Sequence, residues 1–345
     1  MKILVTGDRG YVGSVLVEVL TEAGYQIQGL DIDYYADCEI YPQQRSYPLI
    51  TKDIRDVCLA DVQGFDAIIH LAALSNDPLG EFKTGITEDI NMNASIQLAK
   101  LARDAGVKRF IYASSQSMYG IADTDAELDE DLSDKHPLTA YARTKWQAEC
   151  ELKTLANDDF VVVCFRPSTV FGLSSRLRCD IIFNNLLACA YTTGRIEIKS
   201  DGSPWRPIVH VRDVCQAFIA GIKAPATLVN KRSYNVGIPD GNFTVRQIAE
   251  SVQSLIPGCS LVFTGEHGSD SRTYKVGFNR ILTELADYYQ PSWDLARAGH
   301  EMLAMFKKID FTEQDFRGRR CNRLMQLHHL FDQALLNDEL YMEKL

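Results

Sequence analysis

The sequence predicts an α/β protein, a doubly wound parallel sheet carrying a smaller α/β lobe. Three observations predict it. Short β-branched strands alternate with helical segments through the first half of the chain. The first strand runs directly into a glycine turn that opens a helix. At 345 residues the chain exceeds one compact core, so a second lobe is expected.

In order, residues 3–6 form a strand and residues 12–22 a helix, whose Leu16, Val19 and Leu20 fall on one face at i, i+3 and i+4. Strands follow at 27–31 and 67–71, then a helix at 90–105. A strand at 109–113, a helix at 140–155 and a strand at 161–166 complete the alternation. After Gly172 the pattern loosens, with helices at 180–193 and 211–223 and one opened by Thr244-Val245-Arg246-Gln247, which fits a capping box. We therefore expect a sheet domain over 1–172 with returning pieces from about 207–240, a smaller lobe mainly over 173–310, and a tail over 311–345. The tail is helical in pattern and would cap the fold or contact a partner subunit. Neither internal repeats nor low-complexity linkers divide the chain.

Composition excludes several classes. Hydrophobic residues at 46% and charged residues at 24% are the balance of a globular protein. A formal net charge of −10 argues against nucleic-acid binding. The start lacks the long apolar stretch of a secretory signal, and no run approaches the roughly 20 apolar residues that span a bilayer, so a cytoplasmic, non-membrane protein is expected. Nine cysteines, an odd number without a C-x-x-C pair, indicate neither a disulfide framework nor a zinc site, and no metal is expected. They read as buried small hydrophobes in a reducing compartment.

Thr6-Gly7-Asp8-Arg9-Gly10-Tyr11-Val12-Gly13 places glycines between the first strand and its helix. Glycines let the backbone turn tightly and approach a pyrophosphate, and the helix N-terminus offers it free N–H groups and partial positive charge. This is the context of a Rossmann-type dinucleotide site, with Gly7, Gly10, Tyr11, Val12 and Gly13 at the phosphates. Asp31 ends the second strand about 20 residues after the turn, where a carboxylate accepts hydrogen bonds from the adenosine ribose and repels a 2′-phosphate. NAD is favoured over NADP.

Tyr141-Ala142-Arg143-Thr144-Lys145 sets Tyr141 and Lys145 one helical turn apart on one face. A free tyrosine, with a pKa near ~10, is a poor base at neutral pH, but a nearby ammonium favours its phenolate. Tyr141 would then take a hydroxyl proton while hydride leaves for NAD. Ser114-Ser115-Gln116-Ser117 lies at the carboxyl end of the strand before this helix, where such folds bind ligands. Ser115 is positioned to donate to the substrate oxygen, whereas Ser114 reads as a backbone-satisfying group.

These motifs, with Asp53-Ile54, His70-Leu71-Ala72-Ala73, S-S-x-S-x-Y-G and Arg166-Pro167-Ser168-Thr169-Val170-Phe171-Gly172, occur in an order that resembles the extended short-chain dehydrogenase/reductases, the nucleotide-sugar epimerase and dehydratase family. The resemblance runs from residue 1 to about residue 280. It implies a tightly kept NAD, with Asp53 and Ile54 at the adenine, Leu71 and Ala72 along the cofactor, Asn91 near the nicotinamide end and Lys145 on the nicotinamide ribose. It implies a nucleotide-diphosphate sugar as substrate, with Ser115, Gln116, Ser117 and Thr169 around the sugar and Asn185 facing the diphosphate. Arg206 and Arg272 match the arginines that clamp the nucleotide phosphates, and a homodimer is the family expectation. His210 and Asp213 read as structural, closing a strand and capping the next helix.

The chain departs from the family at named positions. The 4,6-dehydratases carry Asp then Glu directly after the catalytic hydroxyl residue, where this chain has Gln116 and Ser117, so dehydration by that acid pair is disfavoured. Thr169 stands where relatives often have asparagine, and Ser75 where the best-known galactose epimerases have lysine. The leading expectation is an NAD-dependent 4-epimerase acting through a transient 4-keto sugar. The same first half-reaction serves a 4-dehydrogenase, reductase, decarboxylase or another dehydratase. A non-catalytic NAD-binding regulator is the alternative of another class.

Overall fold

The computed structural model describes residues 1–122, 126–266 and 273–343. Seven strands form one wholly parallel sheet: β1 (Lys2–Thr6), β2 (Gln26–Asp31), β3 (Leu49–Thr51), β4 (Ala67–His70), β5 (Arg109–Ala113), β6 (Val161–Pro167) and the returning β10 (Arg232–Val236). Their spatial order is β10-β6-β5-β4-β1-β2-β3. This is the doubly wound Rossmann arrangement, whose strand order reverses between β1 and β4.

Alternation along each strand builds two cores. Ile3, Val5, Ile69, Ile111, Val163 and Phe165 face one layer, which holds helix α1 (Tyr11–Glu22) through Leu16 and Leu20. Leu4, Ile68, Phe110, Tyr112, Val162 and Cys164 face the other, with helices α2 (Ala94–Asp104) and α3 (Ala140–Leu155) contributing Leu98 and Leu152. Successive strand side chains point to opposite faces, so strands covered on both sides need unbroken apolar runs.

A third cluster underlies the smaller lobe. Strands β7 (Thr169–Phe171), β9 (Trp205–His210) and β11 (Asn242–Thr244) form a mixed sheet, and β8 (Arg195–Ile198) pairs with β12 (Ser260–Phe263). Phe171, Phe183, Ile208, Ile248, Met302 and Phe306 join these strands to helices α4 (Ile182–Thr193), α6 (Val245–Leu255) and α7 (Leu295–Lys308). Between them, helix α5 (Val211–Lys223) returns to the main sheet, burying Phe218 and Ile222 in its first core. The capping box at Thr244 and Gln247 is formed as its spacing predicts.

Three expectations need correction. The helix expected over 90–105 becomes regular only at Ala94, because Asp89–Asn93 is a π-helical turn that turns Asn91 inward. The tail is not helical throughout. Glu313–Arg317 stops at Gly318, α8 (Arg323–Asp332) restarts with Asn322 accepting from the Met325 N–H, and the end folds back through a Leu336–Met342 bridge. Leu327, Leu330, Leu336 and Leu340 bury into the second core, so the tail caps the fold. All nine cysteines are free, but Cys58 and Cys150 are exposed and Cys189 half-buried. The first two sit at a helix boundary and on the outer face of α3, where packing does not select an apolar group.

A buried ion pair fixes the ends of β5 and β6. Arg166 reaches Glu149 with two hydrogen bonds, Nη2 to Oε1 at 2.5 Å and Nε to Oε2 at 3.1 Å. Both side chains are almost fully buried, and the Ser114 and Ser233 hydroxyls donate to the same carboxylate. Arg166 holds Glu149 down at a pKa of about 2 against the opposing effect of burial, which is the largest single influence on it.

Candidate active site

The strand-order reversal leaves a crevice at the carboxyl ends of β1 and β4, and a cavity of about 740 Å³ opens there. Its floor is the glycine turn. Gly7 has φ +75°, and a Cβ there would lie 2.7 Å from the Ala72 nitrogen; one on Gly13 would lie 2.0 Å from the Gly7 carbonyl oxygen. Only glycine lets this turn pack against the loop after β4. Gly10 caps α1 without a side-chain hydrogen bond, which leaves the N-terminal N–H groups of Tyr11 and Val12 to the cavity.

At one end of the cavity, Asp31 accepts from the Asp33 N–H at 2.7 Å and the Arg9 N–H at 3.2 Å, and burial pushes its carboxyl up from the ordinary range. The Arg9 guanidinium, not singled out in the sequence, donates to Asp33, Thr51 and the Asp31 and Ile50 carbonyls, tying β2 to β3. Asp53 and Ile54 line the same end, with Asp53 clamped by Arg55 through Nε at 2.9 Å and Nη2 at 2.8 Å. Leu71 and Ala72 form the adjacent wall.

At the other end stand Ser115, Gln116, Ser117, Tyr141, Lys145 and Thr169. Thr139 caps α3, which starts the helix so that Tyr141 and Lys145 face inward. Ser115 caps the one-turn helix Gln116–Tyr119, its Oγ accepting the Ser117 N–H at 3.1 Å and donating to Ser117 Oγ at 3.1 Å. Burial raises the Tyr141 phenol, the Ser115 hydroxyl lowers it, Asp77 raises it and Arg178 lowers it. Lys145 donates to the Ala113 carbonyl at 2.8 Å, 4.8 Å over the Tyr112 ring, and burial draws it down to about 7. Gln116 donates its amide to the Arg166 carbonyl at 3.0 Å, while its Oε1 has no partner among the described residues. Ser114 is spent on Glu149 at 2.6 Å, the structural use expected of it.

Not every expected site residue reaches the cavity. Asn91 is fully buried, and its amide holds the Leu74 N–H and carbonyl, so it shapes the loop after β4 from behind. Asn185 gives its amide to the Cys179 carbonyl at 2.7 Å and stands outside the lining. Arg206 lines the cavity from β9 and donates to the Trp205 carbonyl at 2.9 Å. Arg272 lies outside the described residues. His210 caps α5 by accepting the Arg212 N–H, and Asp213 holds the Ser292 and Trp293 N–H groups.

The sequence reading missed Arg178, Asp180 and Arg323, all in the cavity wall. Arg178 pairs with Asp180 through Nε at 2.9 Å and Nη2 at 2.8 Å, and its Nη1 donates to Ser75 Oγ at 3.2 Å. Asn76 donates to Asp180 from the opposite wall at 2.9 Å, so the loop after β4 and the segment after β7 meet across the cleft. The available signal was the charge cluster Arg176-Leu177-Arg178-Cys179-Asp180 just after the Arg166–Gly172 motif, although Arg176 sits in a turn and pairs with Asp33 and Glu39 outside the cavity lining.

Among the described residues no cluster of three His, Cys, Asp or Glu side chains is placed to hold a metal, and no helix is long and apolar enough to cross a membrane. A glycine cradle, a ribose-side carboxylate and a Ser, Tyr and Lys set around one cavity define a dinucleotide-dependent enzyme of the short-chain dehydrogenase/reductase class. Residues 3–237 match the model of the NAD dependent epimerase/dehydratase family, and the chain belongs to it.

Relatives span both halves of that name. The chain is 28% identical over 268 residues to human dTDP-D-glucose 4,6-dehydratase, covering 74% of each chain. It is 27% identical over 288 residues to a UDP-glucose 4-epimerase of Lactobacillus helveticus, covering 76% of this chain and 84% of the relative. In fold it is similar to UDP-glucuronic acid 4-epimerase from Bacillus cereus, solved with UDP-glucuronic acid and NAD, with TM-score 0.74, 22% identity and coverage of 90% and 100%. The family is NAD-dependent, and the residues fit that cofactor: the Cβ-free turn and the uncapped helix N-terminus form a cradle for its diphosphate.

Proposed function

We propose that this protein is a nucleotide-sugar 4-epimerase. Family membership supports the chemistry, and one observation weighs against 4,6-dehydration and so favours epimerisation over it: Ser115, Tyr141 and Lys145 line the cavity together while the two positions after Ser115 are Gln116 and Ser117. A Gln and a Ser supply no carboxylate for eliminating water, although a 4,6-dehydratase is among the relatives. The relatives and fold neighbours that act on UDP-sugars favour a nucleotide-diphosphate sugar as substrate.

NAD, when bound, supplies the hydride acceptor and donor; Gly7, Gly10, Tyr11, Val12, Gly13, Asp31, Asp53, Ile54, Leu71 and Ala72 would hold it. Tyr141 takes the proton of the sugar 4-hydroxyl, and Ser115 donates a hydrogen bond to the same oxygen. Burial draws Tyr141 and Lys145 toward their neutral forms. One turn apart, a Tyr141 phenolate and a Lys145 ammonium stabilise each other, and the positive nicotinamide ring of NAD would further favour the phenolate. The unpartnered Gln116 Oε1 accepts a sugar hydroxyl, and Thr169 and Arg206 form the wall toward the smaller lobe.

The division of labour follows: 1–172 with the returning strand carries the cofactor, the lobe after Gly172 the sugar nucleotide. We further propose a cytoplasmic homodimer. A shallow groove on α2 and α3, with Ile96 and Trp146 in its wall, supports pairing of these helices with a second copy, which light scattering on the eluted protein tests.

The deciding experiment incubates purified protein with UDP-, GDP-, CDP- and dTDP-sugars and follows product mass, NMR and nicotinamide absorbance. An isomer of unchanged mass without net NADH is expected. Loss of water or stoichiometric NADH would replace the epimerase with a dehydratase or dehydrogenase.

A further inference from the structure

Among the described residues, four of the five buried arginines meet a carboxylate within ion-pair distance. Arg9 meets Asp33, Arg166 meets Glu149, Arg176 meets Asp33 and Glu39, and Arg178 meets Asp180. Arg323, in the first turn of α8, is 2% exposed and has no carboxylate within ion-pair distance among the described residues, Asp180 acting on it only from farther off. Its Nη2 donates to the Arg176 carbonyl and its guanidinium lies 4.2 Å over the Tyr35 ring, but its Nη1 has no hydrogen-bond partner among the described residues. Burial lowers its affinity for the proton; Tyr35 and Asp180 oppose that shift and neighbouring Arg178 adds to it.

An unpaired buried cation costs folding free energy, and this one stands where a ligand would meet it. Asn322, Arg323 and Leu324 line the same cavity as the glycine turn, Ile32, Tyr35, Arg178 and Tyr141. Arg178 and Arg323 together carry two positive charges against the single carboxylate of Asp180. That leaves an excess cation whose planar fork suits phosphate oxygens. Tyr35 follows the Asp31 end of β2, which places Arg323 toward the adenosine side of the cavity, away from Arg206.

We propose that the C-terminal helix belongs to the cofactor site, with Arg323, backed by Arg178, closing on the diphosphate of bound NAD. The inference rests on the cofactor reading and extends it to a segment beyond residue 237, where the family match ends. The tail would then sense cofactor occupancy: α8 carries a charge that is costly without NAD and neutralised with it.

The test compares nucleotide-free wild type with Arg323→Met and Arg323→Lys by thermal unfolding and calorimetric titration, adding NAD or UDP separately. Arg323→Met is expected to melt higher than wild type without ligand and to bind NAD about ten-fold or more weakly, the effect of losing a charge-assisted hydrogen bond, with UDP affinity unchanged. Arg323→Lys should restore part of the NAD affinity. A lower ligand-free melting temperature with unaltered NAD affinity would make Arg323 a purely structural group and overturn the proposal. Weakened UDP binding with intact NAD binding would assign the diphosphate to the substrate and overturn it equally. If wild type itself gains no stability from NAD, the cofactor reading fails first. Should Arg323→Met not fold, Arg323→Gln, which retains a donor for the Arg176 carbonyl, carries the same comparison.

Discussion

The two ends of the cavity are built from different materials. Near Tyr141 the polar groups are held by the backbone: Lys145 on the Ala113 carbonyl, Gln116 on the Arg166 carbonyl, Ser115 on the Ser117 N–H. Near Asp31 they are held by guanidinium groups, with Arg9 and Arg55 each locked onto a carboxylate. The contrast follows from function. A group that exchanges a proton needs a pKa its surroundings can move, and burial with neutral partners provides that. A group that only binds needs fixed charge and fixed geometry, and paired arginines provide those.

The largest expected effect breaks the proton-handling end alone. Tyr141→Phe should lower turnover by roughly 10²–10⁴-fold, the usual worth of a general acid–base group, while leaving the NAD-dependent rise in melting temperature intact. Turnover that survives the change would move the proton step to another residue and dissolve the contrast.

Next is the buried pair that aligns β5 beneath Ser115. Glu149→Ala strands the Arg166 guanidinium, and urea unfolding should show a loss of about 3–5 kcal/mol. A loss under about 1 kcal/mol would mean the network adds little beyond surface pairs.

At the glycine turn, Gly13→Ala sharpens the comparison by attacking binding without touching proton transfer. A Cβ 2.0 Å from the Gly7 carbonyl oxygen must push the turn apart, so NAD affinity, read by calorimetry, should fall before any change appears at Tyr141. Unchanged affinity would show that the turn yields.

The smallest effect is a pH slope. Asp8 is fully buried beneath Gly29, and burial lifts its carboxyl to about 7, with Asp31 adding to the rise. A folded-state pKa raised above the unfolded 3.8 contributes stability at low pH that is lost as pH climbs through 7. The loss runs from the unfolded 3.8 up to about 7, so Asp8→Asn should flatten the fall in wild-type urea midpoint across that range; an equal fall in both proteins would place the titrating group elsewhere.

The same contrast explains what could be read from sequence. Buried parallel strands such as Val161–Pro167, and helices with clean starts such as Ala140–Leu155, announce themselves because local pattern and burial agree. Tyr141, Lys145 and the glycines are legible because one helical turn or one backbone turn sets their spacing. Arg178 and Arg323 are not, since they meet from segments far apart in the chain and only tertiary packing unites them. Asn91 and Asn185 were placed by family position, yet each amide is consumed by a backbone group nearby, a choice that depends on loop paths no periodicity encodes.

Under the proposed epimerisation one cavity takes a hydrogen from C4 of a sugar and returns it to the opposite face. A nucleotide sugar carrying deuterium at C4 measures this directly, with the product followed by NMR and mass. Epimerisation in one cavity predicts an isomer inverted at C4, of unchanged mass, with the deuterium still at C4. Inversion with the label lost to solvent, or recovery of a dehydrated or oxidised sugar, would contradict it.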